Sequence, residues 1–457
     1  MIAVYNLVID AHVKQIARTC AKNFLAALNK LVMSQADQKI SDDIKMETEN
    51  TRDQPANETN FKLVKQPIFG FLFLGIVNLL CFNYFLQVQF FLTQSYAPHF
   101  DLYANIVYGL SNNCGQLFLI FYGSRFAFSQ RIYSSCIALS LILIGYPVLA
   151  IINPSEAVGM SMGLLLTFGL GSFNAIIQSA AFGLAGICSG KAMEYFCLGQ
   201  AVCGLIPWPT ILALRAIFTA AGLSTTSLDG GQPAAETATV FASLSIAAVF
   251  TLLMVPYYKF HLSKTEAVRK AISDLEAMKH SSLVKHRPIS AVIKSTLPLA
   301  LCAWFILYVT FVVFPTQAIK WTPYYTGYPA NFYISMMIYV FQTFDVVGRY
   351  MPVWGVTLNV RQIKIGSLAR ALLIPFFFLA TSQLSFFAND ITRIFLMAAL
   401  ALTNGFVLTW TMIRGPSQVH EDEKDVASYT MSFFLVNGIF CGSMTALAIE
   451  KIMAALS

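Results

Sequence analysis

Charge is what this sequence has least of. Asp, Glu, Lys and Arg make up 12% of its 457 residues, against about 25% in soluble domains. With 56% hydrophobic residues beside it, that shortage excludes an ordinary soluble domain and points to a chain built for lipid. Histidine is scarce too, six residues and never a cluster within an apolar run. There is no HExxH, no paired GxGD, no GxxxxGK and no GxSxG, so the signatures of intramembrane proteases, P-loop ATPases and serine hydrolases are all missing and an enzyme is not expected. The nine cysteines stand singly, at 20, 81, 114, 136, 188, 197, 203, 302 and 441, without a CxxC pair. Most lie in apolar runs, where a thiol behaves as a small buried hydrophobe. No metal or other cofactor is expected. The opening residues contain no continuous apolar stretch, so a cleavable signal peptide is not expected either. The net charge of +7 sits between apolar runs, as loop charge beside a membrane does, and gives no reason to invoke a nucleic acid.

What the chain has in abundance is uncharged length. About 20 apolar residues cross the hydrocarbon core of a bilayer, and the gaps between charges supply such runs repeatedly. Span 1 falls at 68–91, within the gap from Lys65 to Asp101. Spans 2 and 3 lie in the gaps Asp101–Arg125 and Arg131–Glu156, and span 4 in the Gly-rich gap Glu156–Lys191. Spans 5 and 6 lie between Glu194 and Arg215 and between Glu236 and Lys259. After the polar, basic stretch 259–288, long enough for a short amphipathic helix, spans 7 to 11 fall at 290–316, 329–350, 364–383, 391–413 and 427–449. Ahead of all this, residues 1–67 read as a cytosolic segment: an amphipathic stretch suited to a membrane interface, then a polar tract at 34–60 with the composition of disorder. Asn57-Glu58-Thr59 has the form of a glycosylation sequon, discounted because the topology puts it in the cytosol.

The distribution of Lys and Arg sets the orientation. With the N-terminus in the cytosol, one side collects Arg125, Arg131, Lys191, the seven basic residues of 259–288, Arg361, Lys364, Arg414 and Lys424. The other side holds Arg215, Lys320, Arg393 and Lys451. The expected fold class is an all-α polytopic membrane protein of eleven transmembrane helices, N-terminus cytosolic and C-terminus extracytosolic. Six spans at 68–258 and five at 289–457, separated by a basic loop, match the layout of transporters built from two bundles around a midplane site.

Against this apolar background the polar residues at membrane depth stand out. In NFYISMMIYVFQTFDVVGRYMP, Asp345 and Arg349 lie four apart and share a helix face. Each charge is expensive there, about 2.5–3.5 kcal/mol on insertion scales. Two readings fit: a solute-binding pair in which Asp345 accepts and Arg349 donates, or an ion pair pinning span 8 to a neighbour. Gln342 lies three residues before Asp345 on the same face. Gln178, in AIIQSAAFGLAG, offers the donor and acceptor that suit the edge of a heterocyclic base, or equally a hydrogen bond between helices. Phe82 and Asn83, in LLCFNYF, would add a stacking ring and an amide; Trp304, Phe314, Asn404 and Trp410 carry a similar, weaker signal. Arg370, early in span 9, either snorkels to the interface or joins the Asp345 group.

These residues resemble one family. FQTFDVVGRY is similar to the F-N-x-x-D-x-x-G-R segment of the equilibrative nucleoside transporters, solute carrier family 29. AIIQSAAFGLAG, LGQAVCGLI, LARALLIPFFFL and FLMAALALTNGF followed by GPSQV resemble further segments of that family, in order, over roughly 70–450. The resemblance implies a fold like the major facilitator superfamily, six plus five helices, and passage of nucleosides, sometimes nucleobases, down their gradient by alternating access. It implies that Asp345 and Arg349 bind the ribose region and Gln178 the base. Phe82 stands where many members have Trp, Gln342 replaces the usual Asn, and the usual Pro of span 1 is absent. The expected partners are thus nucleosides or nucleobases and the lipid bilayer, with the plasma membrane ahead of an intracellular one. Proton-coupled symport, carriage of another polar solute, and a non-transporting receptor or scaffold are the alternatives.

Overall fold

The computed structural model describes residues 67–456 apart from 153–154, 225–232, 281–286, 325–329, 382–386 and 388. The amphipathic stretch, polar tract and sequon expected before Pro67 lie outside the described residues. Residues 64–457 form one compact unit, and every regular element among the described residues is helical.

Helix α1 (Ile68–Tyr96) runs 29 residues with no polar face. A helix apolar all round belongs in the middle of a bundle, and Phe71, Leu74, Val77, Cys81 and Phe85 are fully buried. Then come α2 (Phe100–Tyr122), α3 (Phe128–Ile152) and α4 (Glu156–Cys188). The fifth span is in two pieces, α5 (Gly190–Gly204) and α6 (Pro207–Ala220). Pro207 and Pro209 lack the amide hydrogens a continuous ladder needs and suit a first turn, so the helix restarts there. The sixth runs through α7 (Ala234–Leu252) into the short α8 (Met254–Phe260).

The basic stretch contains the amphipathic helix its composition suggests, α9 (Glu266–His280), with Val268 and Leu275 buried beneath it. Helix α10 (Ile289–Val313), α11 (Ala330–Tyr350), α12 (Val360–Ala369), α13 (Leu373–Thr381), α14 (Asp390–Arg414) and α15 (Lys424–Leu456) complete the chain. A 3-10 turn at Arg370–Leu372 separates α12 from α13, so the ninth span is also in two pieces.

Nine helical segments among the described residues are long and apolar enough to cross a membrane. Helices α2 and α11, of 23 and 21 residues, are long enough but more polar. They carry Asn112, Asn113 and Gln116, and Gln342, Asp345 and Arg349. The two spans that charge gaps alone counted on equal terms thus each carry amides or charges on a helix face.

Three seams bring helix backbones together. A Cβ added at Gly75 would meet the Phe196 carbonyl oxygen at 2.1 Å, and one at Gly199 the Leu72 oxygen at 2.1 Å, so α1 and α5 touch through glycine on both sides. Gly348 and Gly405 do the same for α11 and α14, and Gly438 and Gly442 of α15 lie on the Trp304 and Tyr308 backbone of α10. Small residues that let backbones approach are the means by which helices associate in lipid, where burial of apolar surface gives no net drive. Large apolar side chains, among them Phe90, Leu141, Phe168 and Phe395, face outward, as a lipid surround requires.

Candidate functional site

The i,i+4 spacing of Asp345 and Arg349 does what it predicts. Arg349 Nε donates to Asp345 Oδ2 at 2.9 Å, and the residues are 4% and 9% exposed. The rest of the geometry comes from distant helices. Asn404 on α14 donates its amide to Asp345 Oδ1 at 2.8 Å. Arg349 Nη1 donates to the Cys197 carbonyl at 3.1 Å and to Gln200 Oε1 at 3.3 Å, both on α5. Gln200 in turn donates to Asn78 Oδ1 on α1 at 2.7 Å. On the far side, Thr310 on α10 bonds Asn404 Oδ1 at 2.9 Å and accepts from Arg370 Nη2 at 2.6 Å. Arg370 also donates to the Leu400 carbonyl at 3.0 Å and to the Thr403 hydroxyl. One polar chain therefore runs Asn78, Gln200, Arg349, Asp345, Asn404, Thr310, Arg370, through five helices and the turn after α12.

The glycine seams make this chain possible. Gly405 sits against the Asp345 backbone oxygen and Gly348 against that of Leu402, so α14 comes close enough for the short Asn404 side chain to reach the carboxylate. Arg370, 2% exposed, does not snorkel; it joins the group through Thr310.

The other expected site residues are dispersed. Gln342 does not bond the pair despite sharing its helix; its amide lies over Gly204 of α5, where an added Cβ would sit 2.1 Å from Oε1. Gln178 is 2% exposed on α4, and the hydrogen bonds of Asp345 and Arg349 do not include it. Phe82 lies flat on Tyr108, centroids 4.1 Å apart and planes 10° from parallel. Asn83 donates to Cys203 Sγ at 3.3 Å. Gln200 lies within LGQAVCGLI, and Asn78 is a polar member of the chain that motif and spacing do not mark. An amide inside an apolar run such as GIVNLL is the signal that finds it, because a buried amide must be satisfied somewhere.

Arg393 and Arg131, expected in loops, each sit in a buried cluster. Arg393, 2% exposed, donates to the Thr322 and Ala380 carbonyls at 2.6 and 3.0 Å and faces the Trp321 ring at 5.5 Å. Beside it, Tyr333 donates to Asp390 at 2.8 Å. At the opposite end Arg131, 4% exposed, lies between the Phe128 and Tyr429 rings and donates to the Tyr429 hydroxyl at 2.8 Å. Nearby, Lys279 of α9 pairs with Asp425 at 2.5 Å, and Arg287 with Glu423. The Arg287 guanidinium holds the Glu423 carboxyl below its usual range.

A family model described as nucleoside transporter matches residues 164–451, well over half the chain. The chain belongs to the nucleoside transporter family. It is 25% identical to equilibrative nucleoside transporter 3 of Rattus norvegicus over 62% of its own length and 63% of that protein's, under two thirds of the relative. It is 23% identical to equilibrative nucleoside transporter 1 of Homo sapiens, over 73% of this chain and 78% of the relative. It is also 23% identical to equilibrative nucleotide transporter 1 of Arabidopsis thaliana, over 82% and 83%. Among solved structures, the major facilitator proton:xylose symporter XylE is similar with a TM-score of 0.58 at 11% identity, covering 85% of this chain and 90% of that one. The transporter FucP in its outward conformation is similar at 0.54 and 13%, covering 85% and 92%. Such identities speak for the fold alone, and that fold is the major facilitator one. Family and fold are those of multi-pass membrane transporters rather than enzymes.

Proposed function

We propose that this nucleoside transporter family member carries nucleosides across a membrane by facilitative alternating access, with Asp345 and Arg349 at the ribose end of the site. The observation that carries the proposal is the Asn78-to-Arg370 polar chain at membrane depth. A carboxylate and a guanidinium that already compensate each other can exchange a bond with one another for bonds to vicinal hydroxyls, which both donate and accept. Arg349 also bonds α5 while Asp345 bonds α14, so binding there reaches helices of both halves of the sequence.

The reading extends to eleven spans, with α2 and α11 as the two polar-faced ones, bundles at 68–258 and 289–457, and the N-terminus cytosolic. Support comes from the lengths of α2 and α11 and the asymmetry of basic residues. Nucleobases are proposed as additional cargo, and the plasma membrane as the site of action. Uptake of labelled uridine, adenosine and hypoxanthine into proteoliposomes holding the purified protein, with and without an imposed proton gradient, tests the transport, its cargo and its coupling. Saturable uptake indifferent to the proton gradient is the expected result. Uptake only with the gradient would replace facilitation by symport, and no uptake of any of the three would end the proposal.

A further inference from the structure

Helices α2 and α4 hold a second group of amides that the polar chain does not use. Tyr108 and Asn112 are one turn apart on α2, and Asn174 and Gln178 one turn apart on α4, so each pair shares a helix face. The backbones are drawn together at Gly171, where an added Cβ would lie 2.0 Å from Ser111 Oγ and 2.7 Å from the Tyr108 carbonyl oxygen. The Tyr108 hydroxyl gathers the group, accepting from Asn174 Nδ2 at 2.9 Å and Asn112 Nδ2 at 3.3 Å. Both asparagines thus turn their N–H groups inward and leave their carbonyls over. Among the described residues Asn112 Oδ1 and Asn174 Oδ1 have no hydrogen-bond partner, in residues 2% and 1% exposed. An acceptor left bare in a buried place costs roughly 1–3 kcal/mol, and side chains in native proteins seldom bear that without a use. The phenol proton, with two donors already on its oxygen, is also left to donate elsewhere.

We infer that Tyr108, Asn112 and Asn174 read the edge of the base and select one bearing an exocyclic amine beside a ring nitrogen. The two free carbonyls accept from the amine, and the phenol donates to the ring nitrogen. Adenine and cytosine present that edge. Hypoxanthine and uracil present the reverse, a carbonyl beside an N–H, and would set oxygen against oxygen. The inference rests on the transport reading above, since Gln178, expected at the base, follows Asn174 by one turn of α4. Phe82, flat on the Tyr108 ring, ties the same phenol to an aromatic surface.

The test uses wild-type proteoliposomes first, so it does not depend on any variant folding. Adenosine and inosine share their ribose and differ at the base edge, as do cytidine and uridine. Competition against labelled nucleoside uptake is expected to favour adenosine over inosine, and cytidine over uridine, by about tenfold, one good hydrogen bond with its mismatch. In Asn174→Ala and Tyr108→Phe that preference is expected to fall to about twofold or less, with a single monodisperse species in detergent at a Tm near wild type as the sign of an intact fold. Equal competition by all four in the wild type, or a preference unchanged in both variants, overturns the inference and leaves transport standing. Absence of all uptake in the wild type overturns the transport reading itself.

Discussion

Arg349 reaches from α11 to the backbone carbonyl of Cys197 on α5, 3.1 Å away, while Asp345, one turn back on its own helix, holds its Nε at 2.9 Å. One guanidinium therefore has two kinds of partner. The bond to Asp345 travels with α11 wherever that helix goes. The bonds to Cys197 and Gln200 exist only while α5 lies alongside.

Replacing the carboxylate tests the travelling bond. Asp345→Asn keeps the size of the side chain and an oxygen for Asn404, and removes the charge that compensates Arg349. Uncovering one member of a buried ion pair is worth about 3–5 kcal/mol. Uptake is expected to fall by at least about tenfold while the purified variant still elutes as a single species with a lowered Tm. Uptake at the wild-type rate would make the charge purely architectural.

The glycine seams can be tested for necessity. A Cβ at Gly405 would stand 2.3 Å from the Asp345 backbone oxygen, with no flexible side-chain end to give way, whereas one at Gly366 meets only Val407 methyls at 3.6 Å or more. Gly405→Ala is expected to destabilise by about 1–3 kcal/mol through overpacking. Gly366→Ala is expected to be neutral or stabilising by about 0.5–1 kcal/mol, since glycine is the poorer residue inside a helix. Thermal unfolding in one detergent ranks the two, and equal Tm values would mean that the α11–α14 seam tolerates spreading.

These contrasts mark what could be read in the chain. Helix positions followed from gaps between charges because lipid penalises charge so heavily: α1 begins where the first gap predicts, and α11, at Ala330–Tyr350, nearly coincides with its expected bounds. The Asp345–Arg349 contact followed from spacing because it is local. The partners on α5 and α14 could not follow from spacing, since they depend on where Gly199 and Gly405 allow backbones to meet. For the same reason Gln342, on the right face, turned to Gly204 instead. Arg131 and Arg393 were misread because a basic residue near a span end has two fates, loop or interior, and only the aromatic rings and carbonyls that meet it decide between them.

The Arg287–Glu423 pair, in polar segments ahead of α10 and α15, gives a pH dependence. The guanidinium lowers the Glu423 value from its ordinary 4.5 and Glu423 raises that of Arg287. A lowered carboxyl contributes stability that is whole above 4.5 and fades as pH falls through the folded value; the arginine side would fade only in strong alkali. Wild type is therefore expected to unfold at a slightly higher temperature than Glu423→Gln at neutral pH, the small margin reflecting a partly exposed pair. The margin is expected to close in acid below pH 4.5. A margin that is constant down to pH 3 would mean that the carboxylate is not the group responsible.

The bonds that depend on α5 make the most direct statement about motion. If the carrier opens on the side proposed as cytosolic, α5 must part from α11, and the Arg349 bonds to Cys197 and Gln200 must break while the Arg349–Asp345 and Asn404–Asp345 bonds persist. Gln200→Ala removes the bond to Arg349, which belongs to one state alone, along with the bond to Asn78 inside the first half. A net hydrogen bond of about 1 kcal/mol shifts a two-state population by roughly fivefold. Spin labels at Ser124→Cys and Arg361→Cys, exposed positions at the same end of the two halves, report the change by pulsed distance measurement in a background lacking the native cysteines. The longer distance is expected to gain population in Gln200→Ala, and more again in Arg349→Ala. Asn83→Ala, whose amide meets neither Arg349 nor Gln200, is expected to leave the distribution where it was. An unchanged distribution in Gln200→Ala would mean that the bond does not discriminate between states, and that α5 and α11 move as one body.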